Sequence, residues 1–180
     1  MRLFVAIQFE ENILAALTGF QRELRKIGAV GNYTREENLH LTLAFIGEYG
    51  NPDDVLDAME AVSFKPFEIH LDGMGSFGDL LWVGVLGEDV LEKLAKNLRH
   101  ELADAGVPFD RKKFRPHITL IRKVSYKTDQ RLPLELLQHE GMVVNRISLM
   151  KSERGKNGMV YTEIGYIESE KGECRCGSYT

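Results

Sequence analysis

Two stretches of the chain share one frame of histidine and threonine: His40-Leu41-Thr42-Leu43 and, 77 positions later, His117-Ile118-Thr119-Leu120. The chain has only five histidines, so two in one frame stand out. On a strand, side chains alternate between faces. Each copy then buries two aliphatic residues and shows an imidazole and a hydroxyl on the opposite face. Two imidazoles facing each other across a groove make an acid–base pair, because the histidine pKa of about 6.5 allows one neutral and one charged ring near neutral pH. The neutral ring takes a proton from water and the charged ring gives one to a departing oxygen. Hydroxyls of Thr42 and Thr119 can donate to the non-bridging oxygens of a phosphate held between them. In-line displacement at phosphorus puts the entering and leaving oxygens on opposite sides, which two opposing strands can serve and one strand cannot. His70, His100 and His139 share no frame and read as surface or structural residues.

Such a pair needs two strands held face to face. Residues 2–9, 39–47, 67–71, 80–86, 114–122, 142–151 and 159–168 read as strands from alternation and turn signals. Helices are expected over 12–28, ended by Gly28; over 51–62, with Asn51 as cap and Pro52 in the first turn; and over about 89–105, closed by Gly106. The glycines of 72–78 read as a turn, and 129–139 as an ambiguous stretch with room for a short helix. Each motif strand follows a helix, which suggests two related α+β lobes with one motif apiece. Strict alternation would point Arg122 away from His117, unless the strand bulges near Ile121.

The 180 residues suit one domain or two small lobes sharing a groove. Residues 111–127 carry seven basic residues and no acid, leaving −11 on the remainder of a chain whose net charge is −4. That focused field would draw an anion to the second motif, while the acidic remainder argues against sequence-independent binding along a long nucleic acid. Cys174 and Cys176 lie in the last residues and are too few for a disulfide framework. The apolar start is broken by acids at Glu10 and Glu11, too soon for a membrane span, so a cytoplasmic protein is expected.

The two motifs, the opening MRLFVAI, the phrase ENLHLTLAFIGE and the phrase FRPHITLIRK resemble the two-histidine phosphoesterases, and within them the RNA 2′,3′-cyclic phosphodiesterases, also called 2′-5′ RNA ligases. The resemblance implies a bilobal α+β fold with pseudo-two-fold symmetry, each lobe an antiparallel sheet with helices outside and the groove between them. It implies one phosphoesterase domain over 1–168 with a flexible tail at 169–180. It implies hydrolysis of 2′,3′-cyclic phosphate ends to 2′-phosphates, with His40 as proton donor and His117 as proton acceptor. Arg122 is matched by the family's arginine after the second motif; Arg115 and Lys123 are further phosphate-binding candidates. No metal or cofactor is expected. The partner is an RNA or nucleotide with a cyclic phosphate end, and the protein is expected to be a monomer.

Other readings remain open on the residues. One is a cyclic phosphodiesterase of a small nucleotide metabolite, because the groove walls and not the catalytic pair choose the substrate. Another is an RNA-end-binding module without catalysis, against which stand both intact histidines and threonines. A zinc site from His40 and His117 would lack a carboxylate or thiolate partner. No G-x-x-x-x-G-K-[ST] loop is present. Any ligation would therefore be an ATP-independent reversal of cyclic phosphate opening.

Overall fold

A computed structural model describes residues 1–125, 132 and 134–170. Two antiparallel sheets carry the fold. The first contains β1 (Arg2–Gln8), β3 (His40–Glu48), β8 (Arg146–Gly155) and β9 (Gly158–Glu168), in the order β3-β1-β8-β9. The second contains β2 (Val30–Tyr33), β4 (Phe67–Phe77), β5 (Leu80–Leu86), β6 (His117–Ser125) and β7 (Gly141–Val144), in the order β2-β6-β5-β4-β7. Three helices lie outside them: α1 (Glu11–Lys26), α2 (Pro52–Glu60) and α3 (Glu88–Asp104). The fold is α+β and bilobal, with the two motifs on different sheets. Asn51 caps α2, its side chain accepting from the Asp53 N–H at 3.3 Å. Gly28 and Gly106 follow α1 and α3 with φ of 84° and 72°, a conformation that favours glycine. Among the described residues no helix is long and apolar enough to cross a membrane.

The lobes interleave along the chain. The expected strand 142–151 breaks at Asn145 into β7 and β8, which belong to different sheets. The glycine-rich 72–78 is mostly strand: β4 runs on to Phe77 and turns only at Gly78, whose φ is 60°. β2 was not apparent because four residues of mixed polarity show no period. β6 starts at His117 and not at 114. Leu134–Leu137 forms one 3-10 turn, and residues 129–131 and 133 of the ambiguous region lie outside the described residues. Helices α2 and α3 pack on each other, α3 also on β3 and β4, and α2 on β9; α1 packs against β7 and the turn at 134–137. One hydrophobic cluster, including Phe20, Leu43, Leu98 and Leu120, spans both lobes. A smaller one of Phe4, Ala6 and Met150, with Phe45 and Tyr161 against it, forms on the other face of the first sheet. Central β1 is therefore buried on both faces and shows five consecutive buried residues instead of alternation. Of the expected tail, the Ser169 N–H donates to Asn145 O and the Glu170 N–H to Phe64 O. Residues 171–180, with both cysteines, lie outside the described residues.

Candidate active site

Both motif strands carry the same irregularity. In β3, Thr42 pairs with Ala6 and Ala44 with Val5, so Leu43 is an extra residue. In β6, Thr119 pairs with Trp82 and Ile121 with Leu81, so Leu120 is extra. Each bulge puts two consecutive residues into the core, Leu43–Ala44 and Leu120–Ile121. The alternation then restarts one step out of phase. Phe45 and Arg122 thereby return to the face of the histidines. The bulge is what brings Arg122 into the groove.

The two bulges are held in the same way. Gln21 on α1, 3% exposed, donates through Nε2 to Thr34 O at 2.8 Å and to Leu120 O at 3.1 Å. Arg99 on α3 donates through Nε to Leu43 O at 3.1 Å and through Nη1 to Lys112 O at 2.8 Å. Each helix thus clamps a bulge carbonyl on one motif strand and a carbonyl on the segment leading into the other. The Thr34 N–H also bonds Leu120 O, and the Asp110 N–H bonds Phe45 O. The approach to β3 therefore lies beside the far end of β6, and the approach to β6 beside the far end of β3. The strands run in opposite directions across the groove, related by a pseudo-two-fold axis.

His40 Nδ1 lies 2.7 Å from Asn38 O, and His117 Nδ1 lies 2.6 Å from Arg115 O. A carbonyl oxygen only accepts, so each Nδ1 carries the proton and each neutral ring has its lone pair on Nε2. In neutral His40 the Thr42 hydroxyl donates to that Nε2 at 3.0 Å. Aromatic rings fix both imidazoles. Phe4 and Tyr161 lie 4.8 and 5.3 Å from His40, and Phe77 and Trp82 lie 5.2 and 6.2 Å from His117, between ring centres. Burial pushes the His40 pKa below the ordinary histidine value; the Asn38 carbonyl opposes this, while the charges of Arg122 and His117 add to it.

The groove is a cavity of about 890 Å³ lined from both sheets. His40, Thr42, His117, Thr119, Arg115 and Arg122 all line it. Lys123 does not; it is exposed, with its backbone in the left-handed region at φ 54°. Six cations line the wall, Arg2, Arg99, Lys112, Lys113, Arg115 and Arg122, against one acid, Asp110. Sequence reasoning missed Arg2, Arg99 and Tyr161. They arrive from β1, α3 and β9 with no local motif, and only the assembled fold brings them to the groove. Lys112 and Lys113 were visible as part of the basic run. Among the described residues no group of three histidine, cysteine or carboxylate side chains is placed to hold a metal ion.

The 2′-5′ RNA ligase superfamily model matches residues 12–156. An Archaeoglobus fulgidus protein named RNA 2′,3′-cyclic phosphodiesterase is 33% identical over 129 residues, covering 68% of this chain and 72% of its own. A Thermotoga maritima protein of the same name is 29% identical over 187 residues, covering 97% of this chain and 99% of its own. The crystal structure of E. coli LigT complexed with 3′-AMP superposes with a TM-score of 0.81 at 26% identity, covering 94% of this chain and 98% of that one.

Proposed function

The chain belongs to the 2′-5′ RNA ligase superfamily, and on that premise we propose that it hydrolyses the 2′,3′-cyclic phosphate at an RNA end to a 2′-phosphate. Water attacks phosphorus and the bond from phosphorus to O3′ breaks. His117 Nε2 takes the proton of the attacking water, and Nε2–H of charged His40 delivers one to O3′. Thr42, Thr119 and Arg122 donate to the non-bridging oxygens, and donors held in place in advance stabilise the charge that builds there. Arg115 adds positive potential beside His117. Burial favours neutral His40 in the free enzyme, and the phosphate anion offsets this by favouring the charged ring. Ligation is the same chemistry with an RNA 5′-hydroxyl in place of water. It leaves a 2′-5′ link and needs no nucleoside triphosphate.

The observation that carries this reading is the repeated set of imidazole, hydroxyl and bulge on two antiparallel strands that face one cationic cavity. The test incubates the protein with cyclic mononucleotides and with RNA oligonucleotides ending in a 2′,3′-cyclic phosphate, and locates the product phosphate by phosphorus NMR. A 2′-phosphomonoester is expected. A 3′-phosphate would reverse the leaving group. Turnover confined to cyclic mononucleotides would favour a small-metabolite substrate, and binding without turnover would favour an end-binding module.

A further inference from the structure

Gln21 and Arg99 do the same structural work at positions related by the pseudo-two-fold axis. Each bridges one bulge carbonyl to one approach carbonyl. A neutral amide suffices for this on α1. The charge of Arg99 is therefore surplus to the clamp. Burial lowers the Arg99 pKa from its ordinary value and the Asp110 charge opposes that, so the cation is held at some cost. Asp110 lies 3.7 Å from Lys112 as well. The guanidinium keeps three N–H groups beyond its two bonds, lies 5.5 Å from the centre of the Phe114 ring and lines the cavity.

The cations are also unevenly placed. Arg99, Lys112 and Lys113 gather where β3 ends and the approach to β6 begins. Arg2, stacked on Phe45, stands at that end too, so four cations face the single Arg122 that shares the other end with Thr34, Asn38 and Met159. Leu43 O, which holds Arg99, stands three residues beyond His40, about 10 Å along an extended strand. The cavity is near the top of the ~300–1,000 Å³ range of ligand sites, larger than the catalytic phosphate and its ribose need.

We propose that Arg99, with Lys112 and Lys113, forms a second anion subsite that takes the phosphodiester on the 5′ side of the terminal nucleotide, so that the groove is built for the end of an RNA chain. The inference rests on the reading that the cyclic phosphate sits between His40 and His117. The test measures kcat/KM on three substrates: a 2′,3′-cyclic mononucleotide without a 5′-phosphate, the same nucleotide with one, and an oligonucleotide ending in it. The wild type should prefer the last two by about tenfold or more, the scale of one charged hydrogen-bonded contact. Arg99→Gln puts an amide nitrogen at the depth of Nε, where it can still donate to Leu43 O, and removes the charge and the bond to Lys112 O; Lys113→Ala removes an exposed charge that makes no clamp. Lys113→Ala should erase most of the preference and leave turnover of the substrate lacking a 5′-phosphate within about twofold, with a melting temperature near wild type. Arg99→Gln should lose at least about tenfold more on the two substrates with a 5′-side phosphate than on the one without. The salt dependence of oligonucleotide kcat/KM should become shallower by about 0.7 in log–log slope per cation removed. An equal loss on all three substrates would reduce Arg99 to its clamp and overturn the subsite. So would a wild type indifferent to the 5′-phosphate. No turnover of any substrate by the wild type would refute the phosphoesterase reading, and the subsite with it.

Discussion

Replacing Gln21 with leucine tests whether the bulge of β6 is held from α1. Leucine fills similar space and removes both Nε2 donors. Leu120 O would keep the Thr34 N–H at 2.8 Å, while Thr34 O would lose its 2.8 Å bond from Gln21. A neutral hydrogen bond contributes about 1 kcal/mol net, and a buried acceptor left unpaired costs about 1–3 kcal/mol. The loss should total about 2–4 kcal/mol. With a urea slope of about 2 kcal/mol per molar, the unfolding midpoint should fall by about 1–2 M. Urea titration followed by circular dichroism reads this directly. The remaining native protein should also lose turnover, because a slack bulge lets Arg122 swing from the groove. A midpoint shift worth under about 0.5 kcal/mol together with normal turnover would refute the clamp.

A valine at Gly75 would drive its Cβ into the Trp82 ring; overpacking of this kind costs about 1–3 kcal/mol and should push Trp82 toward His117, lowering kcat/KM about tenfold. Trp82 is the only tryptophan, so its fluorescence should shift, and unchanged emission and rate would contradict the packing. His40 binds its proton less readily in the fold than when unfolded. Its contribution to stability is therefore present above about pH 6.5 and lost as pH falls into the window below. Melting temperatures of the wild type and His40→Gln should converge or cross as pH falls through that window, and a difference independent of pH would contradict it. Turnover should survive EDTA if the two imidazoles supply both proton transfers as proposed, and a loss restored by a divalent ion would overturn that.

The histidine frame was legible because chemistry was written twice in four residues and strand parity put each imidazole beside its hydroxyl. Parity misled only past each threonine. Leu43–Ala44 and Leu120–Ile121 are all apolar, so nothing local marks the extra residue that returns Phe45 and Arg122 to the groove. Two strands were hidden in MVVNRISLMK because sheet membership depends on distant pairing, β7 on β4 and β8 on β1 and β9. Arg99 reads as an ordinary position of an amphipathic helix. Its part emerges only when Leu43, Lys112 and Phe114 meet it in space. The basic run announced a positive groove but did not separate Lys112, Lys113 and Arg122, which line it, from Lys123, which does not.

The central claim is that His40 and His117 divide the two proton transfers. The most direct test is kcat/KM against pH for the wild type, His40→Ala and His117→Ala on one cyclic phosphate substrate. The wild type should trace a bell whose limbs belong to the coupled pair. Each alanine variant should fold, fall by at least about a hundredfold and lose one limb, a different limb in each. A variant that stays within a few-fold of wild type, or both variants keeping the full bell, would contradict the assignment.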